Sequence, residues 1–491
     1  MADLQAKMAL FERFMKYVEK TPEYSRFLQT DDTPWKADSG DTAWMLTSTM
    51  LVLLMTIPGL ALFYGGMVRV NNVLATAMQC LSITALVTFL WQCVGYSIAF
   101  APVDQVRDHA FIGDSSRMWL LGVDMKSYHQ NAPTIPESVF CMFQLTFAII
   151  TPAVICGSFA ERMKYESMLV FMALWHIFTY CPLAHCVWHP EGFLFKTGLL
   201  DYAGGCVVEI PSGVAGLVSS YMVGHRVGFG IERFEPHNIL LTFMGASLLW
   251  VGWFGFNAGS AGFSGDRTGL AMLTSQIAAA MASLTWMFTE WFIRKKSSLL
   301  GMMSGSIAGL VAITPACGYV DTTGAFVIGF LAGPFCYGGI QLKHYCGFDD
   351  ALDAFGVHAI GALFGTLMTG LFARAHICGL NGWLYGNGNQ FVCQIYGVLF
   401  AVGYTAVTTY LELKLIDMTL GLRVSAQHEA EGLDVSIHGE SIVDTGGKKL
   451  DGSAHSRESN NGSTQDKSAE GGGTAGKDLA AFTDPIYGVN L

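Results

Sequence analysis

Residues 201–223 read DYAGGCVVEIPSGVAGLVSSYMV, an apolar stretch whose only charged residue beyond the first position is Glu209. Residues 350–373 read DALDAFGVHAIGALFGTLMTGLFA and follow the same pattern around His358. In both, an aspartate is followed eight positions later by an ionisable residue and seven positions after that by a glycine. The matching residues are Asp201, Glu209 and Gly216 in the first stretch and Asp350, His358 and Gly365 in the second. Because a helix needs about 20 apolar residues to cross a bilayer, the pattern predicts a membrane protein with an internal repeat.

The two stretches are the fifth and the tenth of eleven apolar segments, so they enter the membrane from opposite sides. Inverted repeats of this kind commonly place a transport site near the bilayer midplane, between the two halves. The predicted fold is therefore an all-α polytopic membrane protein with a five-plus-five inverted repeat. The predicted segments are 44–64, 73–100, 139–160, 168–188, 203–223, 239–259, 270–292, 299–320, 324–342, 354–373 and 393–413.

The composition agrees with this fold class. Of the 491 residues, 52% are hydrophobic and only 14% are charged, whereas soluble domains are about 25% charged. The net charge of −11 and the absence of a basic tract argue against a nucleic-acid partner. The twelve cysteines lie mostly in apolar runs and form no C-x-x-C pair, so neither a disulfide scaffold nor a zinc site is expected. No nucleotide-binding loop or nucleophile triad occurs at a useful spacing, so we expect no enzyme activity and no cofactor.

Basic residues in the connecting loops predict the orientation. The loops after the odd-numbered segments carry Arg69, Arg162 and Lys164, Arg226 and Arg233, residues 294–296, and Lys343. Because Lys and Arg collect in cytoplasmic loops, the C-terminus is predicted to be cytoplasmic and the N-terminus to lie outside. Four regions follow. They are an extracellular tail over 1–41, a transmembrane domain over 42–415, a docked cytoplasmic segment over 416–445 and a polar, disordered tail over 446–491.

The ionisable residues inside the two repeated stretches are the first candidates for function. A charge at the bilayer centre costs ~3 kcal/mol on insertion scales, so Glu209 and His358 are expected to face a cavity or each other. A carboxylate and an imidazole that meet can exchange a proton. The alternative is a buried pair that only ties two helices together, and the residues alone leave both readings open.

Aromatic residues in the neighbouring segments are the second set of candidates. A ring face attracts a small cation through the ring quadrupole, and a hydroxyl oxygen can accept the hydrogen bond of that cation. Aromatic residues at helix ends are also common as packing or interfacial residues, and periodicity does not decide between these readings. The candidates are Phe143 and Phe147 in the third segment, Trp188 at the end of the fourth, and Trp253, Phe256 and Ser260 in or beside the sixth.

Short motifs along most of the chain carry a specific resemblance. They are GDTAW at 40–44, PGLALFYGG at 58–66, FQ at 143–144, DYAGG at 201–205, GWFGFNAGS at 252–260, DAFGVH at 353–358, GLR at 421–423, GLD at 432–434 and HGE at 438–440. Their number and order argue against chance agreement. From about residue 41 to residue 444, the chain is therefore identified as a member of the ammonium transporter (Amt/Mep/Rh) family.

The resemblance implies eleven helices per subunit, a homotrimer in the lipid bilayer and one ammonium path through each subunit. We expect that bilayer to be the plasma membrane. Carried over by position, the resemblance implies an outer cation site formed by Phe147, Trp188 and Ser260. It also implies a gate beneath this site, formed by the stacked rings of Phe147 and Phe256.

Further residues would support this path. The resemblance implies that Phe143 and Trp253 line it, and that Asp201 caps the fifth helix without touching the substrate. Below the gate the family usually has two histidines, and His358 matches the second of them. Glu209 stands in place of the first, so a strict two-histidine relay does not carry over. Whether the resulting pair is charged or neutral stays open.

The expected function is ammonium transport. Ammonium would lose a proton below the outer site, ammonia would cross an apolar pore, and the proton would follow separately along Glu209 and His358. Potassium has no proton to give up and would be rejected by the cost of dehydration. Uptake would be electrogenic if the proton follows the ammonia and neutral if it does not, and we expect the electrogenic case. The alternative is an ammonium sensor that signals through its C-terminal region, where a cytoplasmic regulator would bind at 416–445.

Overall fold

The computed structural model describes residues 35–102 and 109–442, and over these ranges the chain is helical apart from turns, loops and two isolated β-bridges. Ten of the helices described there are long and apolar enough to cross a membrane, and one further apolar helix is shorter. The all-α membrane fold expected from the sequence is confirmed at this level. In chain order the helices are α1 (Ser39–Met67), α2 (Val70–Phe100), α3 (Glu137–Phe159), α4 (Tyr165–Lys196), α5 (Gly205–Val223), α6 (Ile239–Gly259), α7 (Asp266–Arg294), the shorter α8 (Leu299–Ile313), α9 (Thr322–Cys346), α10 (Phe355–Phe372) and α11 (Gly388–Thr419).

The first and last membrane helices are longer than their apolar cores. Helix α1 begins at Ser39 because the Asp38 carboxylate caps it, accepting a hydrogen bond from the Asp41 N–H at 2.9 Å. Helix α11 continues to Thr419, so the predicted domain limits at 42 and 415 both fall inside helices. Most of the predicted N-terminal tail and all of the tail 446–491 lie outside the described residues.

Helix α8 ends earlier than the predicted segment 299–320. Its last residue is Ile313, and a series of turns follows as far as residue 320. Pro315 explains the early end, since proline has no N–H to donate to the preceding helical turn. The Pro315 carbonyl is also diverted, because it accepts a hydrogen bond from Tyr202 N–H at 3.2 Å. Hydropathy continued through this stretch and could not show the break.

The two repeated helices both begin inside the protein, each beneath an aspartate. The Asp201 carboxylate accepts hydrogen bonds from Gly205 N–H at 2.6 Å and Cys206 N–H at 2.8 Å at the start of α5. The Asp350 carboxylate accepts one from Phe355 N–H at 2.8 Å at the start of α10. The first N–H groups of a helix lack partners within it, which is costly in an apolar interior. Each aspartate stabilises an internal helix start by accepting hydrogen bonds from these groups.

Five of the described helices contain a π-helical turn, which is uncommon and often occurs at functional sites. Two of these turns open the repeated helices, Gly205–Glu209 in α5 and Phe355–Ala359 in α10. Glu209 ends the first turn and His358 lies in the second. The other three turns are Met55–Leu60, Trp91–Gly95 and His176–Tyr180. The repeat recognised in the sequence is therefore a repeat of local backbone geometry as well.

Helices α5 and α10 approach each other closely at Gly213. A Cβ atom added to Gly213 would lie 2.4 Å from the backbone N of Ala359, nearer than real Cβ atoms come to other atoms. Small residues permit this kind of contact between membrane helices. Gly213 lies one turn after Glu209, and Ala359 is the residue after His358. The contact between them therefore sets the separation of the two helices that carry these side chains.

Two short helices, α12 (Ala426–Glu431) and α13 (Leu433–His438), lie on the face of the protein at which α1, α3 and α5 end. We call this the C-terminal face and the other the opposite face. The Asp434 carboxylate accepts hydrogen bonds from Leu74 N–H at 3.1 Å and Ala75 N–H at 2.7 Å, at the start of α2. The Glu429 carboxylate accepts one from Val227 N–H at 2.6 Å, in the loop that follows α5. Both short helices are therefore held to the membrane domain by carboxylates.

Candidate functional site

Two phenylalanine rings from different helices stack in the interior of the protein. The rings of Phe147 in α3 and Phe256 in α6 are 4.1 Å apart between centroids and inclined by 23°. Both side chains are buried, and Phe143 packs edge-on against Phe147 at 4.9 Å. The two stacked rings leave no opening between them in this conformation. The stacking is observed, and the action of these two rings as a gate stays a prediction.

Trp188 and Ser260 lie on the side of the stacked rings that faces the opposite face of the protein. Trp188 is half-buried and is the last helical residue of α4 before a non-helical turn at 189–192. Its ring packs edge-on against that of Phe147, with centroids 5.7 Å apart. Its indole N–H donates to the Asp201 carbonyl at 3.1 Å, which fixes the ring orientation. The Ser260 hydroxyl donates to the Phe256 carbonyl at 2.8 Å. The lone pairs of the Ser260 oxygen therefore stay available to accept a hydrogen bond.

Trp253 lies beyond Phe256, one helical turn closer to the C-terminal face. Its ring is 5.7 Å from that of Phe256, and its indole N–H donates to the Thr314 hydroxyl at 2.9 Å. Asn257 lies 3.3 Å from the same hydroxyl through its Oδ1 atom. Nothing in the sequence singles out Thr314 or Asn257, because both read as ordinary polar residues of apolar segments. Their role here is to hold the Trp253 ring.

A small cavity of about 20 Å³ lies beyond the stacked rings, toward the C-terminal face, and Trp253, whose ring is 5.7 Å from that of Phe256, forms part of its wall. A buried water needs about 10–15 Å³, so the cavity has room for one or two small molecules. Apart from two polar side chains, Glu209 and His358, its walls are apolar or aromatic. The other lining residues are Met55, Leu60, Phe63, Ile150, Val154, Val208, Leu249, Trp253 and Ile307.

Glu209 and His358 meet in this cavity. The His358 Nδ1 atom lies 2.7 Å from the Glu209 Oε2 atom. His358 is only 7% exposed and Glu209 only 2%. A hydrogen bond of this length between a carboxyl group and an imidazole can carry a proton in either direction. The structure thus brings together the two residues that the sequence repeat places at equivalent positions.

A larger cavity of about 150 Å³ continues from His358 to the C-terminal face. Its far end is charged, and two ion pairs line it. The Arg226 guanidinium lies 2.8 Å from the Asp349 carboxylate, and the Lys343 ammonium lies 2.5 Å from that of Asp353. Burial by itself raises the pKa of Asp349, but Arg226 outweighs it and holds the pKa at about 2. Asp349 is therefore ionised throughout the physiological range, and this mouth of the path is permanently charged.

Arginines that indicated only orientation in the sequence form a buried network around this mouth. Glu161 accepts hydrogen bonds from Arg69 Nε at 3.0 Å and from Arg226 Nη1 at 3.3 Å. Arg162 is fully buried and donates to the carbonyls of Gly224 at 2.7 Å and Asp349 at 2.5 Å. A local sequence signal for this network exists only in the neighbouring pair Glu161 and Arg162, which follows directly on an apolar segment.

Within residues 35–102 and 109–442, no group of three or more His, Cys, Asp or Glu side chains is arranged to hold a metal ion. The polar groups of the site instead pair with each other. The arrangement can bind a small cation between aromatic rings, hold a small neutral molecule in an apolar cavity, and pass a proton between a carboxyl group and an imidazole.

Comparisons with known proteins give a consistent result. A family model described as Ammonium Transporter Family matches residues 43–443. An ammonium transporter of Aquifex aeolicus is 44% identical over 406 residues, which are 82% of this chain and 93% of that protein. The crystal structure of Saccharomyces cerevisiae Mep2 is similar with a TM-score of 0.75 at 33% identity, over 80% of this chain and 88% of that chain. A structure described as a sensor Amt protein has a TM-score of 0.74 at 26% identity, over 80% of this chain and 97% of that chain.

The contact at Gly213 yields a test of how the site is held together. Gly213→Ala should destabilise the protein by about 1–3 kcal/mol, because the added methyl group must push α5 away from α10. The measurement is thermal unfolding of the purified protein in detergent. Gly403→Ala in α11 is the matched control, since nothing lies within 4 Å of its Cβ position. Equal unfolding temperatures for the two variants would contradict a tight contact at Gly213.

Proposed function

The chain belongs to the ammonium transporter family, and from this premise we propose that it recruits ammonium between aromatic rings, removes a proton and conducts ammonia through an apolar path. Proteins of this family are multi-pass membrane transporters rather than enzymes. The observation that carries the proposal is the position of the Glu209–His358 pair. It lies in a small, otherwise apolar cavity whose wall includes Trp253, and the Trp253 ring lies 5.7 Å from that of Phe256 in the stacked pair.

Recruitment occurs at Trp188, Phe147 and Ser260. The half-buried Trp188 ring and the edge-on Phe147 ring offer π density to a cation, which is worth about 1–2 kcal/mol at a partly desolvated site. The Ser260 oxygen has lone pairs free to accept one ammonium hydrogen bond. Potassium has the same charge but no hydrogen to donate, so the hydroxyl adds a first preference for ammonium. Asp201 acts indirectly here, through its carbonyl on the Trp188 indole.

Selection occurs at the stacked rings. An ion without its water cannot enter the cavity behind Phe147 and Phe256 at acceptable cost, because the walls there are almost wholly apolar. When the rings part, ammonium can give its proton to the Glu209–His358 pair and cross the apolar part as neutral ammonia. Potassium cannot, and the cavity is too small for an ion with its hydration shell. The rings must part briefly for each molecule, since they are in contact at rest.

The proton passes separately along Glu209 and His358. In this chain a carboxyl group stands where the family usually has a histidine, so the pair can be an ion pair or a neutral hydrogen-bonded pair. Either state lets one proton move by exchange across a hydrogen bond of 2.7 Å. The proton then reaches the cavity at the C-terminal face, and each turnover moves one positive charge inward. Uptake is therefore electrogenic.

The same proposal assigns the topology. Helix α8 serves as the eighth of eleven spans, with the turns after Ile313 completing its crossing. The C-terminal face is cytoplasmic and the N-terminus lies outside, in the plasma membrane, as a homotrimer. The segment 416–445 is then a docked cytoplasmic segment, and 446–491 is a tail without a part in transport.

A second candidate function is an ammonium sensor. Two observations favour it: the carboxylate contacts that hold α12 and α13 on the C-terminal face, and the likeness to a structure described as a sensor Amt protein. In a sensor, occupancy of the path would be reported through the segment 416–445 to a cytoplasmic regulator. Ammonium uptake and signalling would then be separable by substitutions in that segment.

The first prediction from this proposal concerns the proton route. Glu209→Leu should reduce ammonium-driven current by at least about 100-fold in cells that lack other ammonium transporters, because the proton has no acceptor beside His358. Any remaining conductance should be a leak that potassium shares. Glu209→Gln is the matched variant, since it keeps the size and a hydrogen bond but cannot take up the proton. Glu209→His should restore current with a shifted pH dependence, because an imidazole and a carboxyl group take up protons in different pH ranges.

Current and uptake are measured together in these cells, with surface abundance matched. A Glu209→Leu protein with the rate, selectivity and pH profile of the unaltered chain would show that Glu209 is a packing residue. Uptake of one ammonium without any current would contradict the electrogenic step but not the path itself.

The second prediction concerns recruitment. Trp188→Leu should raise the half-saturating ammonium concentration about three- to tenfold, the loss of roughly one cation–π contact, while ammonium stays preferred over potassium. The reason is that Trp188 meets the ion before it is stripped of water. Initial uptake rates over a range of concentrations provide the test. Loss of the preference for ammonium in a well-expressed variant would show that selection occurs at Trp188 and not at the rings.

The third prediction separates transporter from sensor. Asp434→Ala combined with Glu429→Ala removes the carboxylates that hold α13 and α12, a loss of about 1 kcal/mol or more for each, so both helices should detach and uptake should fall. Asp434→Asn keeps one acceptor and should behave nearly normally, as should Asp417→Ala at an exposed site and removal of 446–491. Uptake and protease cleavage near 426–438 are the measurements. Normal uptake by a detached segment, with a signalling defect, would favour the sensor.

A further inference from the structure

Three histidines gather around the end of α2 on the opposite face. The last carbonyls of any helix lack partners within the helix and need donors from elsewhere. His185 Nδ1 lies 3.0 Å from the Ala99 carbonyl, and His129 Nε2 lies 3.0 Å from the Phe100 carbonyl. His189 stacks on His185, with ring centroids 4.4 Å apart. Imidazole rings therefore surround the last carbonyls of α2.

His129 has a defined hydrogen-bonding state. Its Nδ1 atom accepts a hydrogen bond from the Asn131 N–H at 3.1 Å, so the proton of a neutral ring must be on Nε2. That proton points to the Phe100 carbonyl. Burial lowers the pKa of His129 to about 4, which keeps the ring neutral at physiological pH. One nitrogen thus donates to the end of α2 while the other accepts from a turn two residues on.

The turn that His129 holds contacts Trp188 directly. The Asn131 side-chain amide donates to the Trp188 carbonyl at 3.1 Å. The next residue in the turn, Ala132, donates its N–H back to the His129 carbonyl at 3.0 Å. Beside Trp188, His189 Nε2 lies 3.3 Å from the Gln130 amide. The backbone of Trp188 is therefore held by this turn, while its indole is held by Asp201.

The ring of His129 also packs against the aromatic residues of α3. It stacks on Phe140 with centroids 4.2 Å apart and an angle of 4°. Phe140 lies three residues before Phe143 and seven residues before Phe147, which is about one and two helical turns. His129 therefore contacts both structures that must be in register at the outer site, namely the helix that carries Phe147 and the turn that holds Trp188.

We propose that His129 is a positioning residue for the outer ammonium site. Its Nδ1 atom holds the turn 129–132 in shape by accepting the Asn131 N–H, and Asn131 of that turn fixes the depth at which Trp188 faces Phe147. This inference rests on the proposed function, in which Trp188 forms part of the outer site. His129 itself does not touch the substrate.

The two bonds of His129 can be removed one at a time. An asparagine at this position can accept from the N–H two residues on, as in an Asx turn, but is too short to reach the Phe100 carbonyl. A glutamine can reach that carbonyl with its amide but leaves the Asn131 N–H without its acceptor. If His129 acts through the turn, the asparagine variant preserves the essential bond and the glutamine variant does not.

The experiment compares His129→Asn, His129→Gln and the unaltered chain by ammonium uptake over a range of concentrations, at matched surface abundance. We expect His129→Gln to raise the half-saturating concentration at least about threefold with an unchanged maximal rate, and His129→Asn to stay within about twofold of the unaltered chain. A general loss of folding would lower abundance and maximal rate instead. Unchanged half-saturation in His129→Gln, or equal increases in both variants, would overturn the inference.

Two further variants separate this inference from the proposed outer site. Trp188→Leu alone tests that site, and if it leaves half-saturation unchanged, the site fails whatever His129 does. If Trp188→Leu raises half-saturation but His129→Gln does not, only the role of His129 fails. In the Trp188→Leu background, His129→Gln should add no further change. His237→Gln is the control, because His237 also contacts a carbonyl, that of Val68 at 3.1 Å, but on the C-terminal face.

Discussion

A carboxyl group and an imidazole can remain in an apolar membrane interior only if each satisfies the other, and the hydrogen bond of 2.7 Å between Glu209 and His358 meets this condition. The rest of the architecture serves that contact. Helices α5 and α10 start inside the protein so that both side chains reach one cavity, and aspartates cap those internal starts. Gly213 lets the two helices approach closely enough for the bond to form.

Charge is distributed unevenly along the proposed path. At the opposite face the path is bordered by aromatic rings and neutral hydrogen-bonding groups, and in the middle by one paired carboxyl group and imidazole. At the C-terminal face it widens into a cavity whose ion pairs, such as that of Arg226 with Asp349, are permanently charged. Under the proposed mechanism, ammonia that leaves the apolar part would enter a polar, wide region in which it would regain a proton.

The sequence was sufficient for the fold class and for the pairing of Glu209 with His358, because both follow from hydropathy and from a repeat of residue types at fixed spacing. It could not show that α8 ends at Ile313, since the residues after Pro315 remain apolar. Nor could it find the network of Glu161 and Arg226, whose members are 65 positions apart. His129 was missed for a similar reason, because its proposed role depends on contacts with the end of α2 and with a turn, and only the folded chain brings these together.

The π-helical turns at Gly205–Glu209 and Phe355–Ala359 give the path an unusual sensitivity to chain length. A π turn holds one residue more than an α turn, and each residue of a helix accounts for about 100° of rotation. Loss of a single residue in either turn would close the bulge to an α turn while the helix that follows kept its phase, so the side chains inside the turn would move relative to those beyond it. In related chains, a deletion of one residue here would thus alter the fit of Glu209 to His358 even if every polar and aromatic side chain of the path were kept.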